Sequence, residues 1–387
     1  MSTEELYQEL LAAVALAGPR AVLRFVATYQ PAGGPGSKVF PPTYPAPNER
    51  ELPQYLIETR TVAGQQRQNV LLDSVPSQAN RAEEALLRAH REGLVHLPLF
   101  EIHHSGAGGD VVLTSLEFPH RYADAYLRDS LLDGKEFDKS ELGVSLLAAS
   151  LEDASALYTH DPGSLVFGAW NSHRKGRQQK FPRVYASEVI GWNPVVGQRK
   201  AGRMDPLNLQ GGQKTSRDGD DWEFLPVATK TKNQRLSEIG HGNVAPNSQH
   251  GGVTIDSAER RATLSFAALD RIGFGTAPRE AALAARAVLA SYAILADRLA
   301  FGRSSLWLRS GCELVLEQER VEWVHRGGET EQVDLSIEQA LSLFQHATAQ
   351  AEKHGLPLST ETITLTPSKR LAEAIDFSLT KATPVED

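Results

Sequence analysis

The stretch from residue 195 to about residue 250 constrains this chain more than any other. It contains "GQRKAGRMDPLNLQGGQKTSRDGDD" and then "KTKNQRLSEIGHGNVAPNSQHGG", polar, charged and rich in glycine. It is too long for a plain connection inside a compact domain. It is therefore either disordered or a projection with a function, and the fold must be built from what lies on either side.

Before it, a helix is expected over about 3–17, followed by the alternating strand "RAVLRFVATYQ". "PAGGPGSKVFPPTYPAP" reads as a loop or insertion, and its "GGPGSK" lacks the glycine spacing of a phosphate loop. A second helix runs to about Glu92. "LVHLPLFEIHH" and "DVVLTSLEF" read as strands, and "PHRYADAYLRDSLLDG" as a helix with Pro119 in its first turn. Two short helices are expected over 140–160, with "SLVFGAW" and "RVYASEVIGW" as β-rich segments. After the polar stretch, "GVTIDSAERRATLSFAALDRIGFG" reads as two strands about a turn at Ser257–Glu259. "TAPREAALAARAVLASYAILADRLA" is the strongest helix, with Thr276 as cap and Pro278 in the first turn. Strands over 305–325, a helix over 336–354 and an acidic tail complete the chain. The order is β–α–insertions–β–β–α–β with elements of ferredoxin-like length, which predicts an α+β fold.

Composition narrows the class. With 41% hydrophobic and 23% charged residues in 387, this is a folded, water-soluble composition. Cys312 stands alone, which rules out an intramolecular disulfide framework or a multi-cysteine zinc site and suggests a reducing compartment. The acidic start "MSTEELYQELLAAVALAG" reads as an amphipathic helix rather than a signal peptide, and no run approaches a membrane span. A cytoplasmic protein with no membrane partner is expected. The net charge of −8 argues against indiscriminate nucleic-acid binding. Residues 171–203, however, hold Arg174, Lys175, Arg177, Lys180, Arg183, Arg199, Lys200 and Arg203 against Glu188 alone. That segment is +7, so the rest of the chain carries −15. Such segregation suits a local polyanion groove on an acidic body, or a basic loop facing water.

"LDSVPSQANRAEEALL" crowds Ser77, Gln78, Asn80 and Arg81 into a helix start where one cap, Asp73 or Ser74, would suffice. The surplus amides and guanidinium suit an anion at the helix N-terminus, or are a solvated first turn. "TSLEFPHRYADA" likewise sets His120 and Arg121 at a helix start. "DRIGFGTAPRE" places Gly273, Gly275 and Arg279 about another, which is a phosphate loop or a tight turn. "SEIGHGN" brings Glu238, His241 and Asn243 together among glycines, for backbone, phosphate or sugar groups or as a turn. Trp170 in "FGAWNSH" could stack on a base, but an isolated Trp more often fills a core. The twelve histidines show no metal-ligand spacing, His160 beside Asp161 suits a helix end better than a dyad, and no G-x-S-x-G elbow occurs. No metal, cofactor or catalytic residue is therefore expected. The combination fits a protein that follows a nucleic-acid backbone.

Together "LLDSVPSQANRAE", "TSLEFPHRYADAYLRDS", "LVFGAWNSH", "RVYASEVIGW" and "LSEIGHGN" resemble the RAMP-superfamily backbone subunit of type I-G (formerly I-U) CRISPR effector complexes, over about residues 70–310. The resemblance implies an RNA-recognition-motif, ferredoxin-like palm with finger and thumb insertions. Palm and finger elements would fall in 1–30 and 70–194, a Pro/Gly-rich insertion in 31–69, the thumb in 195–250 and the remaining palm in 251–387. It further implies copies lined up head-to-tail on CRISPR guide RNA, holding it for pairing with a target DNA strand in antiviral defence. The other partners would be the large subunit and the guide-processing end-cap subunit of Cascade. Carried over, Gln78, Asn80 and Arg81 would face the guide backbone, and Arg121 with the Arg174–Arg183 run would contact phosphates. A RAMP-type endoribonuclease is the alternative; resemblance to the type I group assigns no catalytic Asp here.

Overall fold

The computed structural model of the chain describes residues 1–16, 18–46, 54–106, 108–171, 179–198, 202, 204–207 and 251–380, with three two-residue strands at Lys214–Thr215, Trp222–Glu223 and Gln234–Arg235. In chain order its principal elements are α1 (Thr3–Val14), β1 (Arg20–Pro31), β2 (Ile57–Val62), β3 (Gln65–Asp73), α2 (Val75–Arg91), β4 (Leu99–Gly106) and β5 (Gly109–Thr114). There follow β6 (Tyr185–Trp192), β7 (Ala258–Ser265), α3 (Arg279–Phe301), β8 (Ser305–Arg309), β9 (Cys312–His325), α4 (Ile337–Lys353), β10 (Thr362–Pro367) and α5 (Lys369–Thr380).

The main sheet runs β8-β9-β1-β7-β6-β3-β2, antiparallel throughout, with the short Thr330–Gln332 beside β9. Four of these strands, β9-β1-β7-β6, with α2 between β1 and β6 and α3 between β7 and β9, form the ferredoxin-like split β–α–β pattern. The fold is α+β, as the element order predicts. Leu23, Phe25, Ala27 and Tyr29 alternate along β1 into the core, while the residues between them lie on the sheet's other face. Above that core sits α3, buried on nearly every side, with α1, α2 and α4 packed around it.

Several elements depart from the sequence expectation. The β2–β3 hairpin is a strand pair that the sequence pattern does not announce; it turns at Ala63 and Gly64, both at positive φ, and extends the sheet edge. The helix expected from Pro119 is broken: Asp124 accepts from Tyr126 N and starts only a single turn, Ala125–Arg128, before a strand at Ser130–Leu132. In "SLVFGAW" the first half is helical, Pro162–Val166 capped by Asp161, and only Ala169–Trp170 is extended. Pro278 rather than Thr276 holds the N-cap position of α3. The acidic tail contains β10, parallel to β4 in a second, five-stranded sheet, and α5. Cys312 is a buried free thiol. Among the described residues no helix is long and apolar enough to cross a membrane.

The polar stretch is closed at its root. Val195–Val196, just beyond β6, pairs antiparallel with Val253–Thr254, just before β7. The chain thus leaves the main sheet after β6 and re-enters it at the neighbouring β7.

Candidate nucleic-acid interface

Arg121 organises the ground from which a groove is built. Its backbone stands at φ +53, a left-handed conformation uncommon for a side chain this large. Its guanidinium holds the loop in place: Nε and Nη2 donate to the two carboxylate oxygens of Glu83 on α2, at 2.6 and 2.8 Å. Nη1 donates to the Gly168 carbonyl at 2.8 Å. Burial pushes the Glu83 carboxyl up, against the pull of Arg121, to about 7. Burial opposes the Arg121 charge, yet Glu83 beside it raises its pKa on balance.

Gly168 joins the two walls. It sits at φ +84, and a Cβ there would lie 2.9 Å from Arg183 Cγ and 3.0 Å from the Phe181 carbonyl. Only glycine lets the Arg183 stem cross so close to the backbone. Beyond it Ala169–Trp170 pairs antiparallel with Phe181–Lys180, so that Trp170 and Lys180 are direct cross-strand partners. Lys180 Nζ lies 5.7 Å from the Trp170 ring centroid.

The result is a groove of ≈ 670 Å³ lined by His120, Arg121, Arg128, Lys180 and Arg183, with Trp170 and small or apolar residues between them. None of the lining residues is an Asp or Glu. Glu83 pairs with Arg121 and Asp129 with Arg128, so on a chain of net charge −8 the focal positive charge of the groove is carried by Lys180 and Arg183. The Trp170 indole is 58% exposed, so the expectation that it fills the core is overturned. Its short strand lies at the groove wall.

The sequence-derived residues sort into five groups. His120, Arg121, Lys180 and Arg183 come together in the groove, Arg121 with its charge already countered by Glu83. Gln78 and Arg81 turn inward instead of facing a ligand. Buried Asp73 accepts from Ser77 Oγ at 2.7 Å, Gln78 Nε2 at 2.6 Å, Arg81 Nε at 2.9 Å and Arg309 Nη2 at 3.3 Å. Arg81 Nη2 also donates to the Leu308 carbonyl at 2.6 Å, and Gln78 Oε1 accepts from Ser187 Oγ at 2.8 Å and from buried Arg260. The polar crowding at this helix start is thus an internal network. It continues through Arg260 to Asp297 on α3, whose carboxyl, though buried, is held low by Arg260 and Arg298. Asn80 is exposed on α2 and does not line the groove.

Gly273 and Gly275 form a structural turn rather than a phosphate loop. Their amides donate to the Leu151 and Glu152 carbonyls at 2.7 and 3.0 Å, and the Asp153 carboxylate occupies the space a Cβ on Gly275 would need. Arg279 is exposed at the start of α3, away from the groove lining. Arg174, Lys175, Arg177, Arg199, Lys200, Glu238, His241 and Asn243 lie outside the described residues. Sequence reasoning missed Arg128, which the expected long helix had hidden. Among the described residues no group of three or more His, Cys, Asp or Glu could hold a metal ion.

Residues 23–195 match the family model described as CRISPR-associated protein GSU0053. Over this span the chain is similar to a CRISPR-associated family. The match runs from β1 through β6 and includes every residue that lines the groove. It supports a CRISPR-associated protein with a role in CRISPR defence. No curated protein matches the chain.

Proposed function

We propose that the chain is a non-catalytic guide-RNA-holding subunit, the backbone of a type I-G Cascade-like effector, that polymerises along CRISPR guide RNA and supports recognition of a target DNA strand. The observation that carries this reading is the groove: exposed Lys180 and Arg183 converge with His120 and Trp170, and no carboxylate lines it. A subunit that must hold any spacer contacts phosphate and ribose and leaves Watson–Crick edges free to pair. Ammonium, guanidinium and indole groups do this without reading sequence. Identical copies lined up on one strand need a head-to-tail contact that generates an open filament, its length limited by the RNA and by end-capping and large subunits.

The test is binding of the purified chain to mixed-sequence RNAs across a range of salt. The reading expects comparable affinities for unrelated sequences, falling as salt rises, several copies per long RNA by native mass, and intact RNA after incubation with or without divalent metal. Binding confined to one sequence, or site-specific cleavage of the RNA, would overturn it.

A further inference from the structure

We infer that Trp170 is a base-stacking platform: the groove receives a single-stranded nucleotide whose phosphate lies at Lys180 and Arg183 and whose base lies on the indole. This rests on the RNA-holding reading above. The wall that carries the indole is a strand pair, so its backbone is fixed by hydrogen bonds in register with Lys180. Lys180 Nζ lies over one face of the indole, 5.7 Å from the ring centroid, which sets a phosphate partner against the ring; at 58% exposure the indole still offers surface that a base would cover. Pro119, Ala125 and Pro182 supply apolar surface for a base and ribose between the charges. At ≈ 670 Å³ the groove lies within the range of about 300–1,000 Å³ typical of small-ligand pockets.

A comparison within the chain sharpens the assignment. Trp192 and Trp323 are buried, each beneath an arginine. Trp307 is 62% exposed, slightly more than Trp170, but it stands on the β8 edge strand opposite Glu313 and does not line the groove. Among the described tryptophan side chains, exposure alone therefore does not single out Trp170; exposure in a groove whose lining holds cations and no carboxylate does. Stacking suits a subunit that must accept every sequence, because each base presents a π-face. A base already paired in a duplex is not available to the indole, so the platform selects single strands.

The experiment uses the full chain and two RNAs of equal length and phosphate count, one of mixed sequence and one abasic. Trp170→Ala is expected to weaken binding of the base-bearing RNA about tenfold, the lower part of the range for one stacked base. It should leave binding of the abasic RNA and the salt dependence unchanged. Trp170→Phe retains most of the affinity, and Trp307→Ala changes neither RNA. If Trp170→Ala keeps the wild-type preference for base-bearing over abasic RNA, or Trp307→Ala reproduces its weakening, the platform is not at Trp170. If the wild-type chain binds neither RNA with salt-dependent affinity, the RNA-holding reading fails and takes this assignment with it.

Discussion

Arg121 holds Glu83 by two parallel hydrogen bonds, at 2.6 and 2.8 Å, and so pins the loop after Pro119 to helix α2. The pair is almost wholly buried, and burial pushes Glu83 up from 4.5 to about 7. A carboxyl that binds its proton more tightly when folded stabilises the protein fully below about pH 4.5. That contribution is lost as pH rises through about 7. The difference corresponds to about 3 kcal/mol. Thermal unfolding followed from pH 4.5 to 8 should therefore include a falling component that Glu83→Gln removes. Arg121→Ala strands the carboxylate and should cost more at pH 8 than at pH 5.

Asp73 gathers four donors at a buried point, and Arg81 is one of them. Asp73→Ala leaves two guanidinium groups without their common partner, at a cost of about 3–5 kcal/mol. Arg81→Ala should lower the melting temperature. Since Arg81 does not line the groove, it should leave the salt dependence of RNA binding at the wild-type value. A change in that dependence would show that Arg81 reaches the RNA.

Gly168 couples fold to site. Gly168→Ala imposes a side chain at φ +84, which costs about 1–2 kcal/mol, and pushes against the Arg183 stem. Weaker RNA binding should accompany the lower stability. Gly34, also at positive φ but with nothing within 4 Å of where a Cβ would lie, serves as the control: Gly34→Ala should cost stability without touching RNA affinity.

The long-range pattern is readable where apolar periods are strong. β1 alternates cleanly and α3 is a long run dominated by Ala and Leu, so the split β–α–β order is legible from the residues alone. The β2–β3 hairpin is not, because an edge hairpin is largely exposed and "IETRTVAGQQRQ" is polar on both faces, with Ala–Gly in place of a stronger turn pair. The expected helix after Pro119 is too long because Asp124 passes for a helix residue, whereas its side chain caps a fresh turn. At the site, residue type points to anion binding but cannot say what each group already holds. Arg81 and Arg183 are chemically alike in sequence; the Asp73 carboxylate and the Leu308 carbonyl turn Arg81 inward. Size alone sends Trp170 to a core, and the basic run just after it is the signal for the surface.

The most direct test of the account is the slope of log affinity against log salt for single-stranded RNA, in the wild type and in Lys180→Ala combined with Arg183→Ala. Removing one cation that pairs with a phosphate flattens that slope by about 0.7. The account predicts a flattening of about 1.4, equal for unrelated sequences. A double variant with the wild-type slope and affinity would contradict it.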